Sequence, residues 1–112
     1  MNYSPDSRVL LVDDDRIFTD VMARGFRRRG FEVLACDSAA AALAACETFR
    51  PSHIVLDLNM PGTSGLVALP GLLEAVPGAS LVVLTGYSSI ATAVAATKAG
   101  AHNYLCKPAT IE

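Results

Sequence analysis

Short apolar runs recur along the chain, each bounded by polar or turn-forming residues: Val9–Val12, Glu32–Cys36, His53–Leu56, Leu81–Leu84 and Asn103–Cys106. Each predicts a strand. Between them lie segments with helical spacing. Ile17 to Arg29 places Ile17, Val21 and Phe26 on one face and closes at Gly30. Ser38 to Phe49 opens on a capping residue and carries Ala42, Leu43, Cys46 and Phe49 at helical intervals. Gly65 to Val76 reads as a weaker helix, which Pro70-Gly71 should kink or split. Ser88 or Ser89 caps a last helix that runs to Lys98 and closes at Gly100.

Strands alternating with helices imply a parallel sheet covered on both faces, and right-handed crossovers make it a doubly wound α/β sandwich. In such a sheet, ligands bind along the carboxyl edge, at the topological switch point. The residues that follow the strands therefore matter most. The first strand ends in Asp13-Asp14-Asp15, the third in Asp57, the fourth in Thr85 and the fifth in Lys107. Adjacent carboxylates raise one another's pKa, so a fold keeps them together only with compensation. A hard divalent cation is the natural compensator. Asp15 reads instead as the cap of the next helix.

Composition narrows the picture. The chain has 112 residues, 52% hydrophobic and 18% charged, enough for one domain with a sizeable core. Its net charge of −2 argues against a nucleic-acid-binding surface. The basic cluster Arg24, Arg27, Arg28 and Arg29 falls at a helix end, where it complements the helix dipole as a solvated face. Met1 to Arg8 has no signal-peptide character, and the alanine-rich run Ala39 to Ala45 is too short to span a membrane. Cys36, Cys46 and Cys106 sit in apolar surroundings and read as reduced, buried thiols of a cytoplasmic protein.

Asp13, Asp14 and Asp57 together could hold an octahedral Mg²⁺ (or Mn²⁺) that keeps open positions for phosphoryl oxygens. Lys107 offers a point charge and Thr85 a hydroxyl. Phosphoryl transfer needs alignment and charge neutralisation above all, and a carboxylate can itself be the nucleophile. Asp57 is the best candidate, because it stands alone after the buried run Ile54-Val55-Leu56 at the centre of the sheet.

The order of these motifs resembles the receiver domain of two-component response regulators. They are Val12-Asp13-Asp14-Asp15, Asp57-Leu58-Asn59-Met60-Pro61-Gly62 with Gly65, Leu84-Thr85-Gly86 and Lys107-Pro108. The resemblance covers nearly the whole chain and implies a flavodoxin-like sheet of order 2-1-3-4-5. It implies Asp57 as phosphoacceptor, Asp14 as direct metal ligand, Asp13 as a ligand through water and Asn59 as a backbone-carbonyl ligand. Thr85 resembles the switch hydroxyl, Tyr104 the switch aromatic, and Lys107-Pro108 the family's cis peptide. Within the family, Arg28-Arg29-Gly30-Phe31-Glu32-Val33 and Leu84 through Pro108 look most like the redox-responsive RegA/PrrA/ActR group.

The implied partners are a sensor histidine kinase and a DNA-binding output domain in a longer chain, with room for a homodimer. The domain is expected to catalyse only its own phosphorylation and dephosphorylation, binding neither nucleic acid nor membrane. Two departures stand out. Pro70-Gly71 interrupts the third helix, and the chain reaches Ala109-Thr110-Ile111-Glu112 where the fifth helix should begin. The expectation is a receiver over 1–112 lacking most or all of that helix, with apolar sheet surface left open.

Three rivals are weaker. A haloacid-dehalogenase-type phosphatase would use Asp13-Asp14-Asp15 as its nucleophile motif, but it needs a later acidic pair, and only Glu74 and Glu112 follow Asp57. A pseudo-receiver would act as an interaction module without phosphorylation. A nucleotide-binding domain lacks both G-x-G-x-x-G and a P-loop.

Overall fold

The computed structural model describes residues 7–58, 65–86 and 90–107. Five parallel strands, β1 (Arg8–Val12), β2 (Glu32–Cys36), β3 (His53–Leu56), β4 (Ser80–Thr85) and β5 (Asn103–Cys106), form one sheet in the order β2-β1-β3-β4-β5. Four helices alternate with them: α1 (Arg16–Arg28), α2 (Ala39–Phe49), α3 (Gly65–Ala75) and α4 (Ile90–Lys98). The architecture is the expected doubly wound sandwich.

Strand side chains alternate between the two faces. Val9 and Leu11 turn to a cluster with Met22 and Ala23 of α1, packed against Phe18 and Phe26. Leu10, Val12, Ile54 and Leu56 turn the other way, against Ala42 and Cys46 of α2, Leu69 and Leu72 of α3, and Ala96 of α4. Burial on both faces explains why these strands read as unbroken apolar runs rather than as alternating ones.

Three expectations are corrected. Ile17 and Val21 do not face the core; they are 80% and 59% exposed. The Asp15 carboxylate caps α1 by accepting the Phe18 N–H, and the helix turns its Phe18, Met22 and Phe26 stripe inward. The sequence carries two i, i+4 stripes one residue apart, and the larger side chains take the core.

Pro70 does not split the third helix, which runs unbroken over Gly65–Ala75. Leu69 and Leu72, fully buried on either side of Pro70, anchor it across the missing N–H. Gly71 leaves α2 close by, since a Cβ there would lie 3.6 Å from the Leu43 side chain.

The cysteines are not uniformly buried: Cys46 is, Cys36 is partly so, and Cys106 is exposed. Burial raises the pKa of the Cys36 thiol, with Asp37 and Cys46 adding to it, and burial raises that of Cys46. Both are poor nucleophiles for that reason.

The arginine cluster behaves as expected for a solvated helix end. Arg29 donates to the Gly25 carbonyl and Arg27 to that of Val33. Among the described residues no helix is long and apolar enough to cross a membrane. Asn59, Pro108, the Ser88 and Ser89 caps and the expected absence of a fifth helix all fall outside the described residues.

Candidate functional site

The sheet register builds the site. Val12 lies opposite Leu56 in the β1–β3 pairing, so Asp13 and Asp57 leave the carboxyl edge side by side. Backbone bonds extend the ladder past the strand ends. The Asp13 N–H donates to Cys36 (3.0 Å), that of Asp57 to Val12 (2.9 Å) and that of Lys107 to Thr85 (2.9 Å). The carboxylates are thus fixed on backbone rather than carried on loose loops.

Gly65 closes the site from α3. A Cβ there would fall inside contact distance of the Asp57 carbonyl oxygen and 2.8 Å from the Leu58 Cα, so only glycine lets the helix start this close.

Asp13, Asp14 and Asp57 each bring a carboxylate oxygen to within 4.8 Å of the others. Asp13 and Asp57 are buried, whereas Asp14 is exposed. Lys107 reaches over them, its Nζ 2.6 Å from Asp13 Oδ2 and 3.8 Å from Asp57 Oδ2. Burial pushes the Asp13 carboxyl above its ordinary range, and the charge of Asp57 adds to this; Lys107 and the Asp15 amide oppose it. Burial alone would lower the Lys107 ammonium. Its hydrogen bond to Asp13 and the charges of Asp13, Asp57 and Asp15 outweigh that, so it is held protonated.

A metal ion fits this donor set. The three oxygens converge, all ligands are hard, and buried negative charge is present for a cation to offset. An open pocket of about 350 Å³ beside Asp13, lined also by Arg16, Thr19, Asp20 and Asp37, leaves the edge accessible.

Thr85 is fully buried at the end of β4. Tyr104 lies opposite Val83, and the two-residue period puts Tyr104, Val83 and Thr85 on one face of the sheet. Tyr104 is half-buried there, packed against the cluster that faces α2 to α4. The structure therefore brings together Asp13, Asp14, Asp57 and Lys107, with Thr85 beside Lys107 and Tyr104 one step behind.

One neighbour was not legible in the sequence. The Lys107 ammonium sits 4.3 Å from the centroid of the Phe18 ring, in the first turn of α1. Phe18 looked like one more apolar helix residue, and the only available signal was its place three residues after the capping Asp15.

The profile of the response regulator receiver domain matches residues 9–112. The chain belongs to this family. It is 44% identical over 104 residues to the photosynthetic apparatus regulatory protein RegA of Rhodobacter capsulatus, covering 93% of this chain and 56% of that protein. It is 43% identical over 105 residues to the acid tolerance regulatory protein ActR of Rhizobium meliloti, covering 94% of this chain and 54% of that protein. The receiver thus spans about half the length of these curated relatives.

A response regulator from Burkholderia pseudomallei, solved with a phosphorylated aspartic acid, a calcium ion and citrate, superposes with a TM-score of 0.90 at 41% identity. That match covers 93% of this chain and 61% of the other. A CheY-like receiver from Methanospirillum hungatei superposes with a TM-score of 0.88 at 30% identity, over 93% of this chain and 83% of that one.

Proposed function

We propose that this receiver is a phosphorylation-operated switch in which Asp57 takes a phosphoryl group from a phosphohistidine of a sensor histidine kinase. The observation that carries this reading is the convergence of the Asp13, Asp14 and Asp57 carboxylates within 4.8 Å, with the Lys107 ammonium 3.8 Å from Asp57. The Burkholderia neighbour supports it, since that protein was solved with both a phosphorylated aspartic acid and a calcium ion.

Asp13, Asp14 and Asp57 would hold Mg²⁺ or Mn²⁺, with the Asn59 backbone carbonyl as a further ligand. When bound, the ion offsets charge on the phosphoryl oxygens. An Asp57 oxygen attacks phosphorus, an O–P bond forms, and the N–P bond to the donor histidine breaks with its electron pair left on the imidazole. Lys107 neutralises charge at the acceptor. The chemistry is confined to the domain's own phosphorylation and the later hydrolysis of that phosphate.

The new charge at Asp57 offers an acceptor to the Thr85 hydroxyl and to Lys107. Thr85 moving toward it opens space on the face it shares with Tyr104, and the aromatic ring moves inward. The surface of α4 and β5 changes in consequence, as a population shift between two packings. RegA and ActR bear the names of regulatory proteins and extend well beyond the matched region. A DNA-binding output domain in a longer chain, controlling transcription, is the reader we assign.

The test is mass spectrometry after incubation with acetyl phosphate and Mg²⁺. One phosphoryl group should map to Asp57 and be absent with a chelator. Asp57→Asn should abolish the label; undiminished acid-labile phosphate in that variant would overturn the assignment.

A further inference from the structure

Four contacts around the site close into a ring. The Asp15 N–H donates to Asp13 Oδ1 at 2.9 Å. Asp15 Oδ1 accepts the Phe18 N–H at 3.1 Å, fixing Phe18 in the first turn of α1. The Phe18 ring lies 4.3 Å, centroid to Nζ, from the Lys107 ammonium. That ammonium returns to Asp13 Oδ2 at 2.6 Å. Lys107 is therefore held on two sides, by carboxylate and by the ring's negative π face.

A lysine stem is flexible, and its ammonium is strongly hydrated. With 18% of its side chain exposed, Lys107 has a route to water, and the ring stands where water would otherwise solvate the charge.

We propose that Phe18 is a positioning residue for Lys107, keeping the ammonium over Asp13 and Asp57 through a cation–π contact. The proposal rests on the phosphoacceptor reading of Asp57 for its functional consequence, not for the contact itself. The alternative role for Phe18 is packing alone, since it also lies against the Val9 and Leu11 side of the core. Leucine preserves most of that packing and removes the π face; tyrosine and tryptophan preserve both.

The experiment measures the rate of labelling by acetyl phosphate at fixed Mg²⁺, together with the proton shifts of the Lys107 ε-methylene. Phe18→Leu should slow labelling by about three- to tenfold. Phe18→Tyr should recover most of the lost rate, and Phe18→Leu should have no further effect in a Lys107→Ala background. In the unsubstituted chain, ring current should place the Lys107 ε-methylene upfield of that of Lys98, and Phe18→Leu should remove the difference.

Equal slowing in Phe18→Leu and Phe18→Tyr, persistence of the effect without Lys107, or no upfield displacement would each overturn the proposal. A chain that takes no label defeats the phosphoacceptor reading, and the ring-current comparison then still decides the role of Phe18. If Phe18→Leu does not fold, the Lys107 and Lys98 shifts of the unsubstituted chain decide it.

Discussion

The two edges of the same sheet treat polar side chains in opposite ways. At the amino edge they are absorbed by backbone. Arg8 Nε donates to the carbonyls of Phe49 (2.8 Å) and Arg50 (3.0 Å), closing the end of α2. The Ser52 hydroxyl accepts the Arg8 N–H at 2.9 Å and donates to the Arg8 carbonyl at 3.0 Å. His102 Nδ1 accepts the Leu81 N–H at 3.0 Å.

At the carboxyl edge, side chains of like charge are pressed together instead. Asp13, Asp14 and Asp57 converge, and Lys107 brings a single positive charge to them. The amino edge spends its polar groups on holding the fold. The carboxyl edge keeps an electrostatic imbalance that a cation and a phosphoryl group can use.

The largest effect should come from shifting that balance. Asp13→Asn removes a carboxylate from the cluster and the partner of Lys107, and should weaken Mg²⁺ binding roughly 10–100-fold. Ser52→Ala, at the opposite edge, should leave Mg²⁺ affinity within about twofold while costing about 1 kcal/mol of stability. Calorimetric Mg²⁺ titration and urea denaturation of both variants separate the two effects. Equal loss of Mg²⁺ affinity in both would break the distinction between the edges.

A second test enters the carboxyl edge through the backbone. Gly65→Ala puts a Cβ into the carbonyl of Asp57 and against Leu58, forcing α3 or β3 to move. Overpacking of this kind costs about 2 kcal/mol, read as a lower urea midpoint. Because the strained atoms belong to the residue we propose as phosphoacceptor, labelling should slow as well. Lost stability with unchanged labelling would show that the site tolerates displacement of its backbone, contrary to a register-built edge.

The fold was legible because each strand announces itself as an apolar run with a polar end, and in β1 and β4 burial on both faces leaves no ambiguous alternation. The site was legible for a related reason: its carboxylates and Lys107 come just after strands and Thr85 ends β4, positions that the topology gathers on one edge. What stayed hidden depends on helix phase and distance in space. Two apolar stripes overlap in α1, and nothing local reveals that Phe18, Met22 and Phe26 turn inward while Ile17 and Val21 stay outside. The meeting of Phe18 with Lys107 joins the first helix to the last strand, so no local spacing encodes it. The exposure of Cys106, despite apolar neighbours in sequence, likewise depends on what packs over β5.

The smallest expected effect tests whether strain at the amino edge has any role at the site. Arg50 takes a left-handed conformation, φ 50° and ψ 65°, as the cap of α2, with its N–H donating to Cys46 at 3.1 Å. Among the described residues it is the non-glycine at positive φ. Strained backbone often marks a functional site. Here it lies at the amino edge, between a helix end and the start of β3, and answers to chain reversal alone. Arg50→Gly relieves about 1–2 kcal/mol of left-handed strain and returns part of it as unfolded-chain entropy, for a net gain of roughly 0.5 kcal/mol. The Arg50 carbonyl still accepts from Arg8, so the cap survives. Thermal unfolding should show a slightly higher midpoint, with Mg²⁺ affinity and the labelling rate unchanged. A change in either of the last two would mean that the edges are coupled through β3, and that the strain at Arg50 is felt at Asp57.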